Sequence, residues 1–367
     1  MKNTTRLALL SVALASGLYA APFLAIGDGA ELFVTGTLGV RADDNVLLAS
    51  KNEQNDIIFD LNPGVELTFG KGAQLKGSLT LVDAFANYSD NSSLNTNLFS
   101  GEFDSHFDDG KLKLGFNLSY KELNQNTVGV RSLTRRDVFS VAANTEVEVS
   151  QITSVGAGVA FAHENFKPRG YTDSDSLTIP VDFYYRWTPK IDLSFGYRYR
   201  DYQVQIGQDS TDHYFNVGAR GEFSPKFTGQ FSVGVNTRKL SNGTNDTQIG
   251  LDANFGYEIS PKTTLQFGAS NDFGTNALGQ QEKNFILHGM VFTKLTAEWS
   301  ANAGLSYRSI DYIKRTDDYY QGELGATYVV NANVRISGAY IYRSLTSASA
   351  TIEFTNNIFS LSANFRY

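Results

Sequence analysis

The chain has 367 residues, of which 41% are hydrophobic and 13% aromatic, and its formal net charge is −7. It has no cysteine, which excludes disulfide frameworks, thiolate zinc sites and cysteine nucleophiles. The acidic balance argues against nucleic acid as a partner.

The N-terminus predicts a secretory signal peptide. Lys2 and Arg6 precede the apolar stretch 7–18, and a cleavage site follows Ala20. A transmembrane anchor is the alternative, but this stretch is shorter than the roughly 20 residues that a span requires. Residues 1–20 hold two basic and no acidic residues, so the mature chain keeps 29 basic and 38 acidic residues, a charge of −9.

Strict alternation indicates β-strands. In residues 191–200 every odd residue is apolar or aromatic, and every even residue is charged, small or polar. Residues 177–187 and 249–259 follow the same rule. Successive side chains of a strand point to opposite faces, so a period of two predicts strands. No apolar run after residue 30 approaches the length of a membrane-spanning helix.

Short turns alternate with longer loops along the chain. Thr188-Pro189-Lys190, Ser224-Pro225-Lys226 and Ser260-Pro261-Lys262 recur every 36 residues, and proline suits a hairpin turn because its φ is preset. Further short turns are predicted near residues 70–72, 108–110, 150–151, 297 and 333. The longer polar segments are 41–55, 87–95, 122–133, 164–176, 202–212, 239–247, 274–283, 311–318 and 344–350.

Eight turns and nine loops predict an all-β, transmembrane, antiparallel up-and-down barrel of about 18 strands (16–18). Strands of about 10 to 15 residues suit a tilted bilayer crossing. Closure is required because only a closed barrel satisfies every backbone N–H and C=O group in lipid. We expect short periplasmic turns and longer extracellular loops. A propeller or β-solenoid is the alternative for a repeat of this kind.

Three segments are expected: a signal peptide at 1–20, a short periplasmic segment at 21–30 and an outer-membrane barrel at 31–367. The last residues alternate up to a terminal aromatic. Leu361, Phe365 and Tyr367 therefore look like the C-terminal targeting strand of bacterial outer-membrane barrels. This reading places the chain in the outer membrane of a Gram-negative bacterium, with its lipid, lipopolysaccharide and insertion machinery as partners.

The first hairpin resembles a known family. Residues 41–46 read Arg-Ala-Asp-Asp-Asn-Val, and residues 56–67 form a strand that runs into Pro63-Gly64. This pattern is similar to the first hairpin of the putative beta-barrel porin 2 family. The resemblance implies an outer-membrane barrel, often associated with exopolysaccharide export and its export components, without an established catalytic site.

The two faces of the strands predict two environments. Apolar rows should contact lipid, and aromatic residues beside the turns should form a girdle at the periplasmic interface. The predicted girdle residues are Tyr185, Trp187, Phe223, Phe227, Tyr257, Trp299 and Tyr328. Arg or Lys facing mid-bilayer hydrocarbon would cost about 2–4 kcal/mol, so the charged face should line an interior. The predicted lumen residues are Arg198, Arg200, Arg220, Arg308, Arg335, Arg343, Asp182, Asp252, Glu258 and Glu323.

The arginines allow two interpretations. Arg198, Arg200, Arg220 and Arg238 fall on neighbouring strands. They could form an arginine-lined wall that favours anionic solutes such as acidic sugars. Alternatively, they could form a structural ladder of ion pairs with Asp and Glu that braces the wall.

No catalytic, cofactor or metal site is predicted. None of the four histidines shares metal-ligand spacing with another on one element. His163 with Glu164, and Asp212 with His213, could imitate an outer-membrane hydrolase, although polar loop residues explain them as well. Asp43-Asp44 and Asp317-Asp318 could bind divalent cations through lipopolysaccharide, or could be solvated acidic loops.

Taken together, the sequence predicts a porin-like outer-membrane channel for polar solutes or for polysaccharide export. A structural or surface-interaction barrel with a closed lumen is the alternative, and a barrel enzyme is a more distant one.

Overall fold

A computed structural model describes residues 21–27, 29–126, 133–312 and 315–367. The predicted signal peptide, 1–20, lies outside the described residues. A short strand, β1 (Leu24–Ile26), precedes eighteen long ones, and a single-turn 3-10 helix spans Ser92–Leu94. The long strands are β2 (Ala30–Asp43), β3 (Asp56–Phe69), β4 (Leu75–Tyr88), β5 (Thr96–Asp108), β6 (Leu112–Asn126), β7 (Leu133–Ser150), β8 (Thr153–Phe166), β9 (Ser174–Thr188), β10 (Ile191–Val204), β11 (Ser210–Ser224), β12 (Phe227–Leu240), β13 (Asn245–Ser260), β14 (Thr263–Thr275), β15 (Gln281–Lys294), β16 (Trp299–Tyr312), β17 (Arg315–Val329), β18 (Val334–Ser347) and β19 (Phe354–Arg366).

The long strands form one closed antiparallel barrel. Each strand from β2 to β18 pairs with the next, and β19 returns to pair with β2. This closing register runs from Thr35↔Arg366 to Asp43↔Ile358. The predicted 18-stranded up-and-down barrel is therefore confirmed. β1 lies within the segment predicted as a periplasmic tail and pairs along the start of β2, with Leu24 opposite Leu32.

The strands are longer than predicted, and the loops are correspondingly shorter. Strand lengths run from 13 to 18 residues, with β7 the longest. The predicted loop 202–212, for example, shrinks to residues 205–209 because Tyr202 and Ser210 still pair across the hairpin. Polar composition marks where strands leave the apolar band, whereas backbone pairing continues beyond that point.

The eight short turns define one end of the barrel, here called the turn end. Six of them are closed by a side chain that accepts backbone hydrogen bonds. Thr188 Oγ1 accepts the N–H groups of Lys190 and Ile191. In the β5–β6 turn, bonds from the N–H groups of Leu112 and Lys111 hold the pKa of Asp109 below its usual value.

The alternation in sequence becomes an inward and an outward face. Outward side chains such as Val181, Phe183 and Phe195 are 44%, 44% and 59% exposed. The intervening residues, Asp182 among them, point inward. No helix in the described part of the chain is long and apolar enough to cross a membrane.

Candidate channel lumen

All ten predicted lumen residues lie on the inward face, because directly paired residues of neighbouring strands share a face. Asp182, for example, is paired through Gly196 to Asn216. Arg335 is opposite Asn364, and Arg343 is opposite Asn356. That these residues line a conducting pathway remains a prediction.

At the loop end of the barrel, β14 separates from β13 and folds inward together with the start of β15, which stays paired with β16. Pairing between β13 and β14 ends at Leu251↔Asn271, although β14 continues to Thr275 and stays paired with β15. We call residues 272–283 the inward hairpin. Its side chains contact β10, β12 and the β10–β11 loop, although β13 lies between β12 and β14 in the sheet.

Asp272 joins the inward hairpin to side chains of β10 and β12. Arg198 Nη2 donates to both carboxylate oxygens of Asp272 at 3.0 and 2.9 Å. Arg200 donates through Nη1 and Nη2 at 3.1 and 3.2 Å, and Asn236 Nδ2 at 2.7 Å. The Asp272 side chain is only 18% exposed. Charge-assisted bonds of this kind, shielded from water, hold the hairpin against β10 and β12.

Asp212 forms the second half of the same network. It is fully buried and accepts a two-pronged bond from Arg238, Nε at 2.7 Å and Nη2 at 2.8 Å. Arg200 Nε also donates to it, at 2.8 Å. Arg200 therefore bridges Asp212 and Asp272, and Arg238 reaches on to the carbonyl oxygen of Gly274 in the inward hairpin at 2.7 Å.

The tip of the inward hairpin interlocks with two neighbouring loops. The N–H of Thr172 donates to the carbonyl of Ala277 at 2.9 Å, and Thr172 Oγ1 accepts from Ile206 N at 2.8 Å. Gly279 packs directly on the β10–β11 loop. It has a φ of +73°, and a Cβ at this position would lie 2.1 Å from the carbonyl oxygen of Ile206.

We expect Gly279→Ala to push the tip of the hairpin away from the β10–β11 loop. Positive φ alone costs a non-glycine residue about 1 kcal/mol, and the clash with Ile206 is added to it. Gly243→Ala is the matched control, since Gly243 has a φ of +89° and open space around its Cβ position. Limited proteolysis at the hairpin should increase only in the Gly279 variant, and equal cleavage of both variants would contradict the predicted contact.

The β2–β3 loop is a second segment that folds inward at the loop end of the barrel. In the β2–β3 loop, the buried side chain of Leu48 packs in one apolar cluster with Tyr319, Leu345 and Phe354. Asn45, fully buried, anchors this loop by donating to the carbonyl oxygens of Ala49 and Thr355. The loop end of the barrel is therefore narrowed from two sides.

Most other inward arginines are also paired. Arg220 bonds Glu146 of β7 at 2.6 and 2.9 Å and Asp192 at 3.2 Å. Arg308 bonds Glu282 at 2.9 Å. Arg343 differs, since it donates to the amide oxygen of Asn356 instead of a carboxylate. The geometry thus corresponds to the ladder of ion pairs rather than to an open arginine wall.

The predicted girdle residues lie beside the turn end, on the outward face. Phe223 and Phe227 contact each other with ring centroids 5.7 Å apart, and the Trp299 and Tyr328 rings are 4.9 Å apart. Tyr185, Trp187 and Tyr257 are exposed, as are Leu361, Phe365 and Tyr367 of the C-terminal strand. Their contact with lipid headgroups and with an insertion machinery remains a prediction.

Alternation separates the residue pairs considered as hydrolase sites. Asp212 points inward to Arg238, whereas His213 points outward and bonds the Tyr197 hydroxyl at 2.8 Å. Glu164 pairs inward with Arg136, whereas the outward His163 contacts Asp175 at 2.8 Å. Neither histidine can therefore share a proton with its sequence neighbour.

The acidic pairs considered as cation sites are occupied by protein donors. Asp43 accepts bonds from Asn356 Nδ2 and the N–H of Asn45, and Asp44 accepts two from Asn357. Asp317 is paired with Arg315, and its neighbour accepts a bond from Tyr307. Among the described residues there is no group of three or more potential metal ligands.

Sequence reasoning missed the acidic partners of the arginines. Asp272, Asp212 and Glu146 were not among the predicted lumen residues. Glu146 meets Arg220 from β7, which no local pattern reveals. The inward hairpin overlaps a segment that looked like the other polar loops, so its direction had no signal in the sequence.

Comparisons with known proteins agree with this architecture. The model of the putative beta-barrel porin 2 family matches residues 201–367, and the first hairpin at 41–67 lies outside that range. None of the curated proteins matches the chain.

The solved structure of OpdO from Pseudomonas aeruginosa is 9% identical, with a TM-score of 0.50, over 92% of this chain and 97% of that one. OpdK, an outer membrane protein of the same organism, is also 9% identical, with a TM-score of 0.49 over 92% and 99% of the two chains. OccAB3 from Acinetobacter baumannii is 8% identical, with a TM-score of 0.48 over 93% and 100%.

The family match includes Asp212, Arg238 and Asp272 of this network, whereas Arg198 and Arg200 lie just before the matched range. The likeness to OpdO supports the fold alone. The match over residues 201–367 confirms the predicted resemblance to the putative beta-barrel porin 2 family, and the closed 18-stranded barrel is similar in fold to OpdO.

Proposed function

We propose that the barrel is a channel for small polar solutes in the outer membrane of a Gram-negative bacterium. This proposal depends on one observation. Inward polar side chains near the turn end are solvent-exposed, as at Asp104, His106, Asn254 and Glu258. A barrel of this strand number generally encloses water. Exposed charges on the inner wall require a wet lumen, because the same charges in a dry core would be strongly destabilising.

The narrowed mouth limits the size of the solute. The inward hairpin and the β2–β3 loop both occupy space at the loop end of the barrel. We therefore expect passage of solutes the size of a monosaccharide or an amino acid, with larger molecules excluded.

The same geometry favours small solutes over a polysaccharide, whose export the family resemblance implied. Sugar rings stack on free aromatic faces, but two inward aromatic rings here have an arginine over one face. Arg220 lies 3.5 Å from the centroid of Tyr184, and Arg366 lies 3.4 Å from that of Phe33. That face of each ring is not open to a passing glycan.

A structural barrel with a closed lumen is the second candidate. The observation that favours it is the interlocked mouth, where Thr172, Gly279 and the β10–β11 loop are joined directly. This function would need only a stable wall and surface loops.

Reconstitution of the mature protein into planar bilayers separates the two candidates. A channel should give discrete conductance steps, and proteoliposomes should swell in monosaccharides but not in large oligosaccharides. A sealed membrane in both assays, with the protein shown to be folded by its β-sheet circular dichroism, would contradict the channel and leave the structural barrel.

A further inference from the structure

We infer that the channel prefers cationic solutes, the reverse of what its arginine rows suggest. This inference rests on the proposed channel function. It depends on which charges of the inner wall are neutralised by neighbours and which are left facing the lumen.

The arginines contribute little to the lumen because they are neutralised or buried. Arg198, Arg200 and Arg238 share two carboxylates, and their side chains are only 10%, 16% and 3% exposed. Arg220, shared between Glu146 and Asp192, carries no excess positive charge. Arg343, held by an amide, lies close to the loop end of β18.

Three inward carboxylates near the middle of the barrel have no such partner. Asp182, Asp252 and Glu323 lie six, eight and six residues before the ends of their strands. No Lys or Arg of the described chain forms an ion pair with any of them. Glycines on adjacent strands make room for two of them. A Cβ at Gly196 would lie 2.3 Å from Asp182 Oδ1, and one at Gly304 would lie 2.8 Å from Glu323 Cγ.

The unpaired inward cations lie elsewhere. Lys76, Lys113 and Arg335 are each the second residue of a strand that begins at the turn end. Carboxylates such as Glu148 and Glu258 lie at the same end of the barrel. We call the inward residues at the turn end the rim. The middle of the lumen therefore carries excess negative charge, and a charged pore wall enriches ions of opposite sign.

The reversal potential across a KCl gradient in planar bilayers tests this inference. At low salt we expect a K⁺ to Cl⁻ permeability ratio of about 3, since screening by salt weakens the effect. The triple variant Asp182→Asn, Asp252→Asn, Glu323→Gln should bring the ratio close to 1 and should still give discrete conductance steps.

The matched control removes two carboxylates from the rim, Glu148→Gln and Glu258→Gln, and should retain most of the preference. Wild-type selectivity for chloride, or a ratio unchanged in the triple variant, would overturn the inference. Conductance without charge preference would end this inference and leave the channel standing, whereas absence of conductance would end both.

Discussion

Replacing Asp272 with asparagine should release the inward hairpin and increase single-channel conductance several-fold. The carboxylate accepts bonds from Arg198, Arg200 and Asn236 and is largely shielded from water. Removing one member of a buried ion pair costs about 3–5 kcal/mol, because its partner is left uncompensated. Here Arg198 would lose its ion-pair partner, and Arg200 would keep only Asp212.

The loss should be local rather than global. The inward hairpin is already separated from β13 beyond Asn271, and its remaining pairing with the wall joins Glu282 and Lys283 to β16, so it can leave β10 and β12 while that pairing is kept. Proteoliposomes carrying the variant should also admit oligosaccharides that wild-type protein excludes. Thermal unfolding of the barrel should change little.

Asp252→Asn is the matched control for this experiment. It makes the same chemical change on the inward face of the neighbouring strand, where no arginine is paired. Conductance should stay near the wild-type level. If both variants conduct alike, or if Asp272→Asn leaves conductance unchanged, the hairpin does not set the size of the opening.

Deleting residues 365–367 should prevent assembly of the barrel. Val34 and Tyr367 exchange two backbone hydrogen bonds, at 2.7 and 2.9 Å, and Phe365 is paired with Gly36. Without these residues, backbone groups near the start of β2 would be unpaired and exposed to lipid. Each unpaired group costs several kcal/mol. Arg366 would also be lost from its ion pair with Glu66.

Refolding into detergent micelles, followed by circular dichroism and protease protection, measures this closure. The double substitution Phe365→Ser and Tyr367→Ser is the control, since it keeps the backbone pairing and removes only the aromatic side chains. We expect it to refold in micelles and to fail in cellular insertion if these side chains are a targeting signal. Efficient refolding of the truncated chain would show that closure does not need these residues.

The family resemblance and the fold were accessible from different parts of the sequence. The Asp-Asn loop and Pro63-Gly64 suggested the family, yet the match covers residues 201–367. Those residues contain one of the three clearest alternating segments, 249–259, and two of the three Pro-Lys turns. The regular pattern of the whole chain was thus a more reliable guide than a short motif.

The sequence by itself determined the strands, their number and the face of each side chain. This follows because alternation and turn chemistry are local, and closure in lipid leaves a single arrangement for such strands. It also placed Arg198, Arg200 and Arg220 on the inward face.

Only the tertiary structure decided what those arginines do. Asp272 meets Arg198 across three intervening strands, and Glu146 meets Arg220 from β7, so the pairs depend on curvature and on where a hairpin leaves the wall. A period of two fixes which face a residue occupies. It carries no information on which distant side chain lies opposite, and that is what separates a neutralised arginine from a free carboxylate.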